Sequence, residues 1–289
     1  MNIFEQYKET NEENIFRNIK YLDPDCRPNQ FKHRDQEIAA IAHNISPIFY
    51  GSIPINTVII GNNATGKTTA MQIVLEQVRE ALPEVIPIYV NCRKSHTEYS
   101  IYREIYYNVL GKEAPERGSN SQKIFTDIMK YLEVTRQPLI IVLDDANYLL
   151  GSENRASPHS QNVIRNLCRA KESYNVIIGI YPVISSEQYQ YKFDREVSTL
   201  FMPSTIKFHP YSTSEVKNII TDRCVYAFNI KIPSSVVDSV VEVVELESNI
   251  RLAWELLKWF GLQLMNELVS EDEMLTLMNN IINNKMTKY

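Results

Sequence analysis

Short apolar runs alternate with amphipathic stretches over the first 210 residues of the chain. Runs with the length and composition of buried strands occur at 57–60, 86–91, 138–143, 175–180 and 205–208. Apolar residues at helical spacing fill the intervals near 67–81, 97–110, 120–135 and 160–172. An earlier amphipathic helix passes through Ile38 and Ile45 and ends by Gly51. This alternation predicts a three-layer α/β fold in which helices sandwich a mainly parallel five-stranded sheet.

The pattern changes to helices alone after Pro210. Three apolar stripes with the spacing of helices follow, near 236–244, 250–268 and 274–282. We expect them to pack into a small all-α domain over 211–289, beside an α/β domain over 33–210. Residues 1–32 are polar and interrupted by prolines, which predicts an irregular N-terminal extension.

One loop carries a phosphate-binding pattern. Residues 61–68 fit G-x-x-x-x-G-K-[ST], directly after one predicted strand and at the start of a predicted helix. Backbone N–H groups at such a helix N-terminus favour a polyphosphate. Lys67 would reach the outer phosphates, and the Thr68 hydroxyl would hold Mg²⁺. We therefore expect ATP or ADP, with Mg²⁺, to bind Gly61, Asn62, Asn63, Ala64, Thr65, Gly66, Lys67, Thr68 and Thr69.

A pair of acids supports the same chemistry. The apolar run 138–143 ends in Asp144 and Asp145, and open α/β sheets bind ligands at the C-terminal ends of parallel strands. We expect Asp144 to bind Mg²⁺ together with Thr68, and Asp145 to activate water. Alone, such a run is often a strand followed by a solvated turn. In combination with the loop, it predicts a nucleotide site.

Charge and composition narrow the classes of function. The 289 residues carry a net charge of -5, which argues against a whole-surface nucleic-acid binder but leaves room for a local basic patch. No apolar run approaches the ~18 residues of a membrane span, and the N-terminal residues lack the features of a secretory signal. The four cysteines form no C-x-x-C pair, so we expect neither zinc nor disulfides and a cytoplasmic location, with nucleoid association left open.

From Phe16 nearly to the C-terminus, the order and spacing of short motifs resemble the AAA+ ATPases of the origin recognition complex and cell-division-cycle-six type. These are the replication initiators of archaea and eukaryotes. Besides the phosphate loop, the motifs that carry the resemblance are Leu22-Asp23-Pro24-Asp25, His33-Arg34, Asn91-Cys92, Leu143-Asp144-Asp145-Ala146, Arg195-Glu196-Val197, Phe208-His209-Pro210-Tyr211 and Asn249-Ile250-Arg251. The resemblance implies an AAA+ α/β domain followed by a helical lid.

The resemblance also implies roles for residues outside the loop. Residues 21–34 would cover the adenine. The further nucleotide-binding residues would be Leu22, Pro28, His33, Arg34 and Tyr211. Arg251 would touch the outer phosphate in its own chain, and Arg195 would reach a neighbour's site, although an ordinary solvated arginine is the alternative for Arg195. The implied partners are other initiator subunits or further copies of this chain, the backbone of duplex DNA and a replicative helicase.

Three departures from the family pattern concern hydrolysis. Ala64 replaces a usual glycine of the loop, which limits backbone freedom without blocking binding. Asp145 replaces the usual glutamate and so reaches less far by roughly 1.5 Å. Pro182 lies near the place of a usual polar sensor residue and has no side-chain hydrogen-bonding group. We therefore expect intact nucleotide binding and slow hydrolysis.

DNA binding is the least determined part of the prediction. The family normally adds a winged-helix domain after the lid, and the sequence stops at Tyr289 without one. The remaining basic candidates, Arg165, Arg169 and Lys171, lie in a helical segment that is equally well explained as a solvated helix. The alternatives to a replication-initiator switch are a regulatory paralogue that binds nucleotide without DNA, a transposition-helper ATPase and, more remotely, a small-molecule phosphotransferase.

Overall fold

The structure, a computed structural model, describes residues 15–27, 30–115, 120–150, 161–185, 193–264 and 270–286. The chain divides into two compact units. One is an α/β unit formed by Arg34–His209. The other is a helical unit that combines the described residues up to His33 with those from Pro210 onward. The N-terminal segment is therefore part of the helical unit.

The α/β unit is built on a five-stranded sheet. Its strands are β1 (Thr57–Ile60), β2 (Ile86–Asn91), β3 (Leu139–Asp144), β4 (Ile178–Ile184) and β5 (Ser204–Lys207). They are ordered β2-β3-β4-β1-β5, and every neighbouring pair is parallel. This confirms the predicted fold class. Because parallel strands end at the same edge, the residues that follow β1, β3 and β4 are brought to one side of the sheet.

Helices cover both faces of this sheet. They are α1 (Asp35–Ile45), α2 (Lys67–Ala81), α3 (Glu98–Leu110), α4 (Ser121–Thr135), α5 (Asn147–Leu150), α6 (Asn162–Ser173) and α7 (Arg195–Phe201). Leu139, Ile141 and Leu143 point into a core shared with α3, α4 and α6. Their neighbours Ile140 and Val142 are also fully buried and therefore face the opposite layer, since side chains alternate along a strand.

The fourth strand runs further than the sequence suggested. The prediction ended it at residue 180, whereas β4 continues through Pro182 to Ile184. Ile180 donates its backbone N–H to the Asn56 side chain, which precedes β1. Since alternate residues of a strand point their N–H groups the same way, the missing N–H of Pro182 lies on that side too. Pairing with β1 begins only at Val183, so the proline interrupts no ladder bond.

Among its described residues, the helical unit has four long helices. They are α8 (Thr213–Ala227), α9 (Ser234–Glu247), α10 (Arg251–Leu264) and α11 (Glu271–Met286). The three predicted stripes correspond to α9, α10 and α11, and their apolar residues form one core. The first helix, α8, had produced no clear stripe because its buried face includes Arg223 and Cys224. Within the described residues, no helix combines the length and apolarity needed to cross a bilayer.

The N-terminal segment is fastened to this helical core by backbone and side chain. The backbone N–H of Arg17 donates to Ala227 O at 2.8 Å, and that of Asn229 donates to Ile15 O at 2.8 Å. Arg223 is 8% exposed and donates to Tyr21 O at 2.6 Å and to Cys26 O at 2.7 Å. Separate backbone bonds and a buried cation thus hold the segment on α8.

Candidate nucleotide-binding site

The loop between β1 and α2 needs glycine at both ends. Gly61 has φ 157°, and a Cβ there would lie 2.4 Å from the carbonyl oxygen of Phe208. Gly66 has φ 91° and caps α2 in the left-handed region. A side chain at either position would clash or strain the backbone. The path of the backbone therefore requires both glycines, in addition to any role that they have in binding phosphate.

Ala64 adopts a conformation that suits glycine. Its φ is 62°, in the left-handed region. A residue with a Cβ costs roughly 1–2 kcal/mol in that region. Alanine in place of the family's usual glycine therefore raises the conformational free energy of the folded backbone. The rest of the loop holds Ala64 in this conformation.

Lys67 is buried in the curve of the loop. It is 5% exposed, and its Nζ donates to Gly61 O at 2.8 Å and to Asn62 O at 2.6 Å. The Thr65 hydroxyl also donates to Asn62 O, at 2.9 Å. The loop thus encloses one ammonium group at the N-terminus of α2, a combination that favours an anion. Thr69 follows in the first turn of α2.

The two predicted metal ligands are in direct contact. Thr68 Oγ1 donates to Asp144 Oδ2 at 2.9 Å, and the Asp145 backbone N–H donates to Asp144 Oδ1 at 3.0 Å. A hydroxyl and a nearly buried carboxylate are the hard oxygen donors that Mg²⁺ prefers. The residues present therefore fit a magnesium ion.

Tyr89 is a member of this site that the sequence analysis missed. Its hydroxyl donates to Asp144 Oδ2 from β2. Burial, followed by the charge of Asp144, raises the pKa of Tyr89 well above its usual range, so the hydroxyl stays protonated and keeps donating. The only signal in the sequence was a tyrosine two residues before the end of an otherwise apolar strand.

Asp145 lies beside a second residue that was missed. It has φ 52°, and the Ser185 hydroxyl donates to its Oδ1 at a long 3.4 Å. Ser185 directly follows β4, because that strand continues beyond Pro182. The polar group at the end of the fourth strand is therefore Ser185. A signal existed in the sequence, as Ser185 is the first polar residue after the apolar run.

Arg34 supports the loop through backbone atoms. It is 4% exposed, and its Nε donates to Thr65 O at 2.9 Å. Its Nη2 donates to His209 O at 2.6 Å, and its Nη1 lies 3.3 Å from Glu37 Oε1. These contacts direct the guanidinium to the protein's own carbonyl groups beside the loop.

The sequence of the chain matches both a protein-family model and individual proteins of known name. A family model described as AAA ATPase domain matches residues 30–178, just over half of the chain. The chain is 35% identical over 213 residues to ORC1-type DNA replication protein 2 of Methanothermobacter thermautotrophicus, covering 73% of this chain and 55% of that protein. It is 31% identical over 252 residues to the protein of the same name from Methanosarcina acetivorans, covering 86% and 66%.

The chain belongs to the AAA ATPases of the ORC1 type. This confirms the family resemblance stated from the sequence. The chain spans between 55% and 66% of the length of these two relatives. The family implies nucleotide binding.

Solved structures show the same fold. The Aeropyrum pernix ORC1 protein, solved in complex with DNA, matches with a TM-score of 0.77 and 24% identity, over 96% of this chain and 72% of that one. The Aeropyrum pernix ORC2 protein, solved with ADPNP and ADP, matches with a TM-score of 0.75 and 20% identity, over 91% and 72%.

The remaining predicted nucleotide ligands belong to the helical unit. Leu22 is 1% exposed in its core, where Tyr211 also packs, and His33 Nδ1 lies 3.7 Å from Glu215 Oε1. Arg251 is exposed at the start of α10 and lines an open pocket of about 460 Å³ with Leu22. Pro28 lies outside the described residues. The structure thus brings the loop, Arg34 and both acids together in one unit, and the other predicted ligands in the second.

The predicted DNA-binding arginines are paired with carboxylates. Arg165 donates to Asp194 and lies 3.0 Å from Glu196, and Arg169 pairs with the same Glu196. Both acids flank Arg195, which is itself exposed at the start of α7. Lys171 is exposed in the last turn of α6. The positive charge of two of the three candidates is therefore balanced within the α/β unit.

Proposed function

We propose that the chain binds ATP and ADP with Mg²⁺ through Gly61–Thr69 and acts as a nucleotide-controlled switch of the replication-initiator kind. The observation that carries the proposal is the contact between Thr68 and Asp144 at the mouth of a loop that encloses Lys67. A chance match to the loop pattern would not place a buried carboxylate from another strand against the motif's own hydroxyl.

The residues of the site divide the work of binding. The backbone N–H groups at the start of α2 and the Lys67 ammonium group bind the phosphates, and Lys67 exchanges the carbonyls of Gly61 and Asn62 for phosphate oxygens. Thr68 and Asp144 would hold Mg²⁺, which neutralises charge between the outer phosphates. Tyr89 keeps Asp144 oriented toward Thr68 because its hydroxyl remains a donor.

Slow ATP hydrolysis is part of the proposal. Asp145 would orient water, and its short side chain already shares a weak contact with Ser185. A misplacement of ~1 Å can cost on the order of 10²-fold in rate. Slow hydrolysis suits a switch, because ATP then stays bound and intact for long enough for partner proteins to associate.

Two exposed arginines extend the proposal beyond the loop. We assign Arg251 to sensing the outer phosphate in its own chain and Arg195 to reaching the nucleotide of another initiator subunit or a second copy. Both side chains are exposed. Exposure supports these roles, because a guanidinium that is to contact the transferred phosphate must not be held in an ion pair with a neighbouring carboxylate. A replicative helicase remains a further proposed partner.

DNA contact is proposed to be weak and limited to the phosphate backbone. A relative of known structure was solved in complex with DNA, and the α6 side chains Arg165, Arg169 and Lys171 are this chain's proposed counterpart surface. Phosphates approaching α6 would have to displace Glu196 from two arginines.

The same pairing favours a second candidate function. If Arg165 and Arg169 serve to hold α7, the chain is a nucleotide-binding regulatory module without DNA contact. In that case Lys171 alone would contribute little to binding of a polyanion, because non-specific affinity needs several phosphate contacts.

Calorimetric titration with ATP and ADP tests the nucleotide site. Lys67→Ala should weaken ATP binding by more than about tenfold, since a buried charge-assisted contact is worth ~1.5–3 kcal/mol. Lys123→Ala is the matched control, because it removes the same charge from an exposed position on α4. Equal affinity in the wild type and Lys67→Ala would exclude the site. Purification without added nucleotide then identifies the resident state, and retained ADP would support the switch.

A further inference from the structure

The backbone passes between the two units at two places. One crossing joins His33 to Arg34, and the other joins His209 to Pro210. His33 has φ 65°, in the left-handed region, so the chain turns sharply just before the first crossing. These two peptide connections are the covalent links between the units.

Arg34 ties both crossings together within the α/β unit. It is itself the first residue after one crossing, and its Nη2 donates to the carbonyl of His209, the last residue before the other. A guanidinium is planar and rigid, so its hydrogen bonds move as a group. One side chain therefore connects the two crossings.

The same side chain also reaches the phosphate loop. Arg34 Nε donates to Thr65 O, in the middle of the loop. Burial of the guanidinium makes these acceptors costly to lose, because an unpaired buried charge is strongly unfavourable. Glu37 supplies a charged partner on the remaining side.

A second contact between the loop and the second crossing does not involve Arg34. Phe208 donates its backbone N–H to Ile60 O at 2.8 Å, and its carbonyl oxygen lies 2.4 Å from the position that a Cβ of Gly61 would take. Residues 208–209 are thus held against the start of the loop directly and against its middle through Arg34. The strand β5 and the loop form one packed assembly.

We propose that Arg34 is a positioning residue that couples the conformation of the phosphate loop to both connections between the units. The inference rests on the proposed function, since it takes the loop to be the place where nucleotide acts. Nucleotide entering the loop draws Lys67 away from the carbonyls of Gly61 and Asn62, the loop adjusts, and the carbonyl of Thr65 moves with it. Arg34 passes that movement to its own backbone and to His209. Its proposed role is to relay the bound state through the two carbonyl groups that it contacts.

Hydrogen exchange measured by mass spectrometry tests this coupling on the full chain, with and without ADP at concentrations that saturate each variant. In the wild type, ADP should slow exchange in the loop peptide 61–70 and also in peptides that span 30–38 and 205–213. Arg34→Ala should keep the loop protection, lose the ADP-dependent change at 30–38 and reduce the change at 205–213, where the contact of Phe208 with Ile60 remains. Its ADP affinity should fall by about tenfold, because the loop loses one buried support.

Two further variants separate coupling from simple support. Glu37→Gln removes the charged partner of Arg34 but keeps both of its carbonyl contacts, so it should lower stability and preserve the ADP-dependent response at both crossings. Arg34→Lys keeps the charge but can satisfy only one carbonyl at a time, so it should retain loop protection and lose the response at one or both crossings. It also provides the test if Arg34→Ala does not fold.

The outcomes distinguish the inference from the function on which it rests. If ADP fails to protect the loop peptide in the wild type, the nucleotide proposal is wrong. If the loop is protected and the crossings respond equally in the wild type and both Arg34 variants, the coupling role is wrong. Faster exchange at the crossings in Arg34→Ala, with an ADP-dependent slowing as large as in the wild type, would reduce Arg34 to a structural support.

Discussion

Thr68 Oγ1 donates to Asp144 Oδ2 at 2.9 Å, although the two residues are 76 positions apart in the chain. The same carboxylate oxygen accepts the hydroxyl of Tyr89, and the other oxygen accepts the backbone N–H of Asp145. Three donors therefore fix the carboxylate before any ligand arrives. Such preorganisation suits a metal ligand, because the cost of orienting the group has been met during folding.

Asp144→Asn should abolish most of the Mg²⁺ contribution to ADP binding while leaving affinity in excess chelator nearly unchanged. The amide keeps the size of the side chain and loses the charge that Mg²⁺ requires. Tyr89→Phe, which removes only one donor, should reduce the Mg²⁺ contribution less, within the ~10–100-fold typical of outer partners. Titration of ADP with Mg²⁺ and with chelator measures both. Asp144→Asn with an intact Mg²⁺ effect would contradict the assignment.

Ala64→Gly should stabilise the protein. Alanine at φ 62° is destabilised by roughly 1–2 kcal/mol in the left-handed region. Glycine avoids this strain but loses more conformational entropy on folding, which offsets part of the gain. We expect a net gain of about 0.5–1 kcal/mol in the free energy of unfolding, measured with urea. Ala42→Gly, at an exposed position within α1, is the control and should cost about 1 kcal/mol. A loss of stability in both variants would show that residue 64 is not strained.

The alternation of strands and helices was predictable because each element carries its own apolar period. The predicted bounds of β1 and β2 are those observed, and β3 is displaced by a single residue. The prediction for β4 ended at residue 180, whereas the strand continues through Pro182 to Ile184. Pro182 falls before the pairing with β1 begins, and the N–H of Ile180 on the same edge is satisfied by Asn56, 124 residues away. No local pattern contains that partner.

Within the site, sequence reasoning found the residues that belong to a contiguous motif and missed those that reach it from elsewhere. Lys67 and Thr68 follow from the loop, and Asp144 from the end of its strand. Tyr89 and Ser185 join the site only through the parallel register of β2, β3 and β4. The packing of the N-terminal segment on α8 was also not predictable from the sequence, because Arg223, which donates to Tyr21 O, lies 202 positions away.

Asp145→Glu should raise the ATPase rate if the reach of the carboxylate limits hydrolysis. The added methylene extends the group by roughly 1.5 Å. Since residue 145 has φ 52° and aspartate tolerates that region better than glutamate, the variant should also be slightly less stable. Single-turnover hydrolysis and urea unfolding measure the two effects. A drop in turnover, or a brisk rate in the wild type, would refute the explanation.

Ser185→Ala tests the neighbouring contact separately. The Ser185 hydroxyl is 3.4 Å from Asp145 Oδ1, which is a weak hydrogen bond in this state. If the serine orients Asp145 or the outer phosphate during hydrolysis, the variant should lose turnover and keep its ADP affinity. Thr126→Ala, in α4, removes a hydroxyl that bonds only within its own helix according to the described contacts and should change neither quantity.

Gly261→Ala should loosen the N-terminal segment from the helical unit. A Cβ at this position would lie 2.3 Å from Phe16 Cζ and 2.7 Å from Phe228 Cε1, so two stacked rings would have to shift. Overpacking of this kind costs about 1–3 kcal/mol. Both tryptophans of the chain lie in α10, so their fluorescence reports unfolding of the helical unit. Gln263→Ala, exposed on the same helix, should have little effect.

A double variant identifies which ring is responsible. Phe16→Ala removes the nearer obstacle, so adding it to Gly261→Ala should cost less than the sum of the two single changes. Strict additivity would mean that the clash is absorbed elsewhere. In that case, the stacking of Phe16 on Phe228 would not be what fastens the segment.

The proposed DNA surface on α6 makes a prediction about an acid. Glu196 neutralises Arg165 and Arg169, so DNA phosphates must compete with it. Glu196→Gln should therefore strengthen binding to duplex DNA and steepen its salt dependence. Glu172→Gln is the matched control, since it makes the same change of charge at an exposed position on α6 for which the described residues record no pair with those arginines. Titrations of a labelled duplex over a range of salt concentrations measure both quantities.

The triple variant Arg165→Ala, Arg169→Ala and Lys171→Ala provides the opposite change. It should remove most binding, and each lost phosphate contact should flatten the log–log salt slope by roughly 0.9. Nucleotide affinity should stay unchanged. If instead the triple variant binds DNA as the wild type does, and Glu196→Gln changes nothing beyond Glu172→Gln, the arginines serve to hold α7 and Arg195 in place. The regulatory module without DNA contact would then be the better account of the chain, because its nucleotide site would remain while its basic helix would be a structural brace.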